Sequence, residues 1–144
     1  MVKVTWQGEH RFEAEPESGK KFLMDTFPSP DAETVGPTPF EAFLSGVAAC
    51  SAYDVAHILL KKKQRLVSYH VEIDGERTEE GVYPRPFTSL TLRHVLVGEG
   101  LDLGAVEQAV KLSDEKYCSA IATLRQGPTV SSVFEVRELQ TALD

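Results

Sequence analysis

The sequence predicts an α+β fold, with antiparallel strands packed on one long central helix. Three observations point to it. The segment Phe40–Leu60 is apolar almost throughout and opens on a helix-start signal. Apolar and polar residues alternate through Val67, Tyr69, Val71 and Ile73, and a second strand-like run covers Thr88–Val97. The N-terminal third consists of short strand-like runs divided by turn residues.

Val2, Val4 and Trp6 alternate with polar residues and predict the first strand. Phe12–Ala14 and Phe22–Met24 predict two more, separated by the turn-prone Glu15-Pro16-Glu17-Ser18-Gly19. Phe27–Pro37 is too rich in proline to be regular and reads as a loop. Thr38 then serves as N-cap, Pro39 suits the first helical position, and Glu41 completes a Thr-x-x-Glu capping box. From Phe40 to Leu60 only Glu41, Ser45, Ser51, Asp54 and His57 are clearly polar, and Lys61-Lys62-Lys63 complements the negative end of the helix dipole. A stretch of about 20 apolar residues is long enough to span a bilayer. However, Glu41, Asp54 and His57 interrupt it, and an Asp at the centre of a span costs about 2.5–3.5 kcal/mol. A helix apolar on nearly all sides is instead expected to be buried on all sides. Ala42, Gly46, Ala48, Ala49, Ala52 and Ala56 let other backbones approach closely, and burial this complete calls for cover from a second subunit. The strand pair follows, joined by the loop Glu79–Pro86. Asp102 caps a second helix carrying Leu103, Val106, Ala109 and Val110 on one face. Ser119–Leu124 reads as a short helix ending near Gly127-Pro128, and Val130–Val136 as a final strand.

At 144 residues, residues 1–144 are expected to form one domain with a real core. The 42% hydrophobic and 26% charged residues are those of an ordinary soluble protein, so no membrane partner is expected. A net charge of −7 argues against nucleic acid as a principal partner. The N-terminal Met1–Trp6 lacks the apolar centre of a signal peptide, which makes the cytoplasm the expected location. A persistent structural disulfide is improbable there.

That leaves Cys50 and Cys118 to be catalytic, metal-binding or inert. Cys50 lies deep in the long helix; Cys118, in Lys116-Tyr117-Cys118-Ser119-Ala120, lies where one helical pattern stops and another begins. With no Cys-x-x-Cys and no ligand motif among His10, His57, His70 and His94, metal is the weakest of the three and no cofactor is expected. A redox pair stands against the plainer reading of two buried small hydrophobes.

With both cysteine contexts placed, the chain resembles the OsmC/Ohr family, named for osmotically inducible protein C and organic hydroperoxide resistance protein. The resemblance runs over nearly the whole chain. It is carried by Gly36-Pro37-Thr38-Pro39-Phe40-Glu41, Ala49-Cys50-Ser51-Ala52-Tyr53-Asp54-Val55, Pro86-Phe87-Thr88 and Leu112-Ser113-Asp114-Glu115-Lys116-Tyr117-Cys118-Ser119. It is most similar to a subgroup of unsettled substrate, distinct from OsmC and Ohr proper. The resemblance implies an intertwined homodimer whose antiparallel sheets wrap the central helices, with active sites at the subunit interface. It also implies a thiol peroxidase that reduces organic hydroperoxides and is reset by a dithiol reductant. Matched by position, Cys50 is the peroxidatic residue, which becomes a sulfenic acid, and Cys118 the resolving one, which closes a disulfide with it.

The resemblance further implies an arginine at the thiolate, held by a glutamate ten residues before the first cysteine. That position is Phe40 here, with Glu41 beside it. At about 100° per residue, Glu41 falls on the helix face opposite Cys50, so its capping role competes with a catalytic one. Arg11, Arg77 and Arg85 are candidates for the cation. Arg77, in Gly75-Glu76-Arg77, comes first because the subgroup tends to carry an arginine there. The cation matters because a mid-helix thiol gains nothing from the helix dipole. His57, two turns beyond Cys50, is a proton-relay candidate set against a packing role, and Asp114-Glu115 reads as a solvated helix end. Phe40, Phe43 and Val47 form an apolar wall that favours an organic substrate.

Overall fold

The computed structural model describes residues 1–26 and 33–137. Its elements run β1 (Lys3–Trp6), β2 (Arg11–Glu15), β3 (Phe22–Asp25), α1 (Pro39–Lys61), β4 (Arg65–Asp74), β5 (Thr91–Glu99), α2 (Leu103–Leu112), a π-helical turn (Ser113–Tyr117) and α3 (Ser119–Gln126). β1, β2 and β3 form an antiparallel sheet in sequence order, with Trp6 opposite Phe12 and Phe12 opposite Met24. β4 and β5 form a two-stranded antiparallel sheet, pairing from Arg65 with Glu99 to Asp74 with Thr91.

α1 begins as its capping signal requires. Thr38 Oγ1 accepts from the Glu41 N–H at 3.3 Å, and Glu41 Oε2 accepts from the Thr38 N–H at 2.8 Å. The lead-in to the helix is tied to β3. The buried Asp25 carboxylate accepts from the Val35 N–H at 3.1 Å, and Asp25 N–H donates to the Pro37 carbonyl at 3.1 Å. Any side chain at Gly36 would run into the Leu23 carbonyl, so only glycine allows this approach.

α1 packs on β4, α2 and α3. Its inward stripe is Val47, Ala48, Ser51, Val55 and Leu59, residues about one turn apart. Val55 and Leu59 meet Ala105 and Ala109 of α2, the small α2 residues leaving room for the larger side chains, with Tyr69 and Leu96 of the second sheet around them. Truncating a fully buried leucine such as Leu59 to alanine costs about 2–5 kcal/mol.

Two expectations are corrected. α1 itself, though long and apolar enough to cross a membrane, is a core helix whose outer face, with Phe40, Phe43, Tyr53 and Leu60, lies exposed on the single chain. The expected strand Val130–Val136 is absent, and Val133 and Phe134 are 97% and 93% exposed. Its alternating pattern is suited to a sheet, but among the described residues no strand edge pairs with it. The second strand of the pair starts at Thr91, not Thr88. Thr88 N–H turns back to the Glu76 carbonyl at 2.8 Å, while Arg77 and Phe87 form an isolated bridge that closes the loop. The loop read over Phe27–Pro37 lies outside the described residues between 27 and 32.

Candidate functional site

Cys50 stands on α1, half-buried, one residue before the fully buried Ser51. Cys118 is the N-cap of α3 and only 2% exposed. Both are free thiols. They come from distant parts of the chain into one apolar cluster, where Val47, Cys118 and Ile121 form the buried centre and Cys50, Ile73, Leu92 and Ala120 pack around it. Burial pushes the Cys118 thiol above its ordinary pKa. The backbone N–H groups of Ile121 and Ala120 oppose that rise, and Cys50 adds to it as a hydrogen-bonding neighbour. The N–H groups fall short of full cap geometry, so burial prevails and Cys118 rests as a thiol at neutral pH.

A π-helical turn leads into Cys118. Its N–H donates to the Ser113 carbonyl at 2.9 Å, five residues back rather than four. Ser113 is fully buried, and its Oγ lies 3.1 Å from Ser51 Oγ.

The charged candidates are spread more widely. Arg77 lies at the N-terminal end of α1, its guanidinium carbon 4.9 Å from the Phe40 ring centroid and 5.4 Å from that of Phe87. Its Nε and Nη2 donate to the Arg85 carbonyl at 3.1 and 2.7 Å. Ten helical residues separate Phe40 from Cys50, about 15 Å along the axis. Glu41 is occupied in the capping box. Arg11 pairs with Asp25 at 3.8 Å, and Arg85 donates to the Thr78 carbonyl at 2.8 Å. His57 is exposed and stacks on Tyr53, with centroids 5.8 Å apart. Tyr117 is half exposed.

A cleft of about 600 Å³ opens beside the cysteine cluster. Phe40, Phe43 and Val47 of the expected apolar wall line it, facing Phe87, Leu92 and Ile121. Val47 and Ile121 also belong to the cysteine cluster, so the cleft and the cluster share a wall. Asp114, His94 and Arg125 add its polar walls. Asp114 is therefore a half-buried part of the cleft wall and not a solvated helix end, while Glu115 beside it is exposed; the Asp114 carbonyl accepts from Arg125 Nη1 at 2.6 Å. Burial holds His94 below the ordinary imidazole range, with Asp114 opposing, and its Nδ1 shares a hydrogen bond with Tyr69 Oη at 2.6 Å. Sequence reasoning missed Arg125 and His94. An arginine in the last turn of a helix reads as a dipole complement, and a histidine on a strand as an ordinary packed residue. Among the described residues, no three His, Cys, Asp or Glu side chains come together to hold a metal ion.

Residues 30–133 match the family described as OsmC-like protein. The chain is 37% identical over 136 residues to protein YhfA of Escherichia coli K12, covering 94% of this chain and 97% of that protein. It is similar in structure to a hypothetical protein from Aquifex aeolicus VF5, at 31% identity and a TM-score of 0.74, covering 88% and 87% of the two chains. The organic hydroperoxide resistance protein OhrB of Bacillus subtilis shares the fold at 20% identity and a TM-score of 0.53, covering 85% and 90%.

Proposed function

The chain belongs to the OsmC-like protein family, and from that premise we propose that it is a thiol peroxidase that reduces organic hydroperoxides with Cys50 and Cys118. Family membership supports a peroxide-related stress role. The observation that carries the finer reading is the meeting of two free thiols, from separate elements, in one apolar cluster next to an apolar cleft.

In this reading the Cys50 thiolate attacks the distal oxygen of a hydroperoxide. The O–O bond breaks, Cys50 becomes a sulfenic acid, and the leaving alkoxide takes a proton to become an alcohol. Cys118 then attacks the Cys50 sulfur, and the disulfide forms with loss of water. A dithiol reductant returns both thiols. Cys50 is the more accessible sulfur, and the buried, protonated Cys118 is held back for the second step. Hydroperoxide consumption coupled to a dithiol tests the reading: wild type should turn over, and Cys50→Ser should not.

We further propose that the working form is an intertwined homodimer. Phe40, Tyr53, Leu60 and Phe134 are among the apolar side chains left in solvent. A partner would cover them and offer an edge to the unpaired 130–136 segment.

A second reading, a binding protein for an apolar small molecule, draws on one observation. Neither cysteine lines the cleft. A ligand that binds without thiol oxidation would favour it.

A further inference from the structure

We propose that Ser51 and Ser113 are positioning residues that hold Cys118 at closing distance from Cys50; the inference rests on the two-cysteine reading above. Both serines are fully buried, with their hydroxyls 3.1 Å apart. Ser113 Oγ also lies 3.3 Å from the Ser51 carbonyl and 3.4 Å from Asp54 Oδ2, both acceptors. Both protons are satisfied when Ser51 donates to Ser113 and Ser113 donates to the carbonyl or the carboxylate. The contact therefore has an order that an apolar pair would lack.

Its placement gives it consequence. Ser51 follows Cys50 directly on α1, and the Ser113 carbonyl accepts the Cys118 N–H at 2.9 Å. A short bonded path thus runs from the neighbour of one cysteine to the backbone of the other. The five-residue span of that last bond inserts an extra residue into the turn, which rotates Cys118 off the α2 helical path and starts α3 from it. Disulfide closure demands Cα atoms within roughly 7 Å. The buried hydroxyl bridge and the π turn both act on how Cys118 is set against Cys50 in their shared cluster. The step served is the second one: the Cys118 thiolate attacks the Cys50 sulfenic sulfur, the S–O bond breaks, and water leaves with the thiol's proton.

The test compares wild type with the Ser51→Ala/Ser113→Ala double variant. Removing both hydroxyls leaves neither one orphaned, so folding is preserved better than by a single deletion. Ser51→Ala alone serves if the double variant does not fold. Reduced protein is treated with tert-butyl hydroperoxide in rising excess, and the partition of Cys50 between disulfide and sulfinic acid is read by mass spectrometry. The partition is read on the folded fraction, isolated by size-exclusion chromatography before oxidation, so that unfolded protein does not imitate the effect. The variant should close its disulfide about tenfold more slowly, the effect of one net hydrogen bond, and gain sulfinic acid accordingly. Its disulfide potential should become less negative by about 30 mV, the same tenfold in a two-electron couple. An unchanged partition and potential in the variant, with a normal wild-type disulfide, overturns this inference alone. A wild type that forms no disulfide overturns the two-cysteine reading and this inference with it.

Discussion

The Arg77 guanidinium lies over the Phe40 ring, 4.9 Å from its centroid, at the end of α1 remote from Cys50. Phe87 stacks on the same Phe40 ring with centroids 5.3 Å apart, so Arg77 caps an aromatic wall of the cleft. Within one chain this leaves Cys50 without its expected cation. A second copy that brings Arg77 to Cys50 would supply it, and Arg125 in the cleft is the alternative.

We therefore expect Arg77→Ala to slow Cys50 oxidation by about tenfold, equivalent to ~1.4 kcal/mol at the transition state. Arg77→Lys should restore only part of the rate, since an ammonium loses the planar stack on Phe40. Stopped-flow peroxide consumption checks this. A full rate in Arg77→Ala together with a slow Arg125→Ala would move the cation role to Arg125.

Glu41 is expected to act through the helix end. Its carboxylate accepts the Thr38 N–H at 2.8 Å, a bond that glutamine can also accept. Glu41→Gln should keep both thermal stability and peroxide turnover, whereas Thr38→Ala should cost about 1 kcal/mol of stability. Loss of turnover in a stable Glu41→Gln would assign the carboxylate a direct role in the chemistry.

The resolving step should depend on pH in the direction set by Cys118. Burial raises its pKa, so its thiolate is scarce at neutral pH and grows as the medium becomes alkaline. After Cys50 is oxidised, disulfide closure should accelerate from pH 7 towards pH 9 and still be rising where an ordinary cysteine levels off, near its pKa of about 8.5. Rapid-quench alkylation follows it. A rate flat over that range would mean that Cys118 is already ionised at pH 7.

Assembly is open to direct measurement. Sedimentation at micromolar concentration should give a dimer, and Phe134→Asp should weaken it if the 130–136 segment lies in the interface. A stable, folded wild-type monomer would contradict the dimer.

What was legible in the sequence was local. The Thr38–Glu41 box, Pro39 and the Asp102 cap stand within a few residues of their partners, and the structure realises each. The alternation through Tyr69, Val71 and Ile73 placed β4 because that face of the strand is the more buried one, whereas Val67, expected on the same face, is exposed at the register shift between Leu66 and Ser68. The π turn was hidden, since nothing local in Leu112–Tyr117 marks an extra residue in the helix, and the contact its first residue makes is with the distant Ser51. Val130–Val136 carries a strand pattern, but a ladder needs an edge, and none among the described residues pairs with it. For the site, the settings of Cys50 and Cys118 were visible, while the placing of Asp114 and Arg125 along one cleft depends on how α3 leaves the π turn.

Mass spectrometry of the reduced protein after one equivalent of organic hydroperoxide tests the two-cysteine chemistry itself. Wild type should carry an intramolecular Cys50–Cys118 disulfide, and Cys118→Ser an oxidised, unresolved Cys50. Two free thiols in wild type after excess hydroperoxide would contradict it.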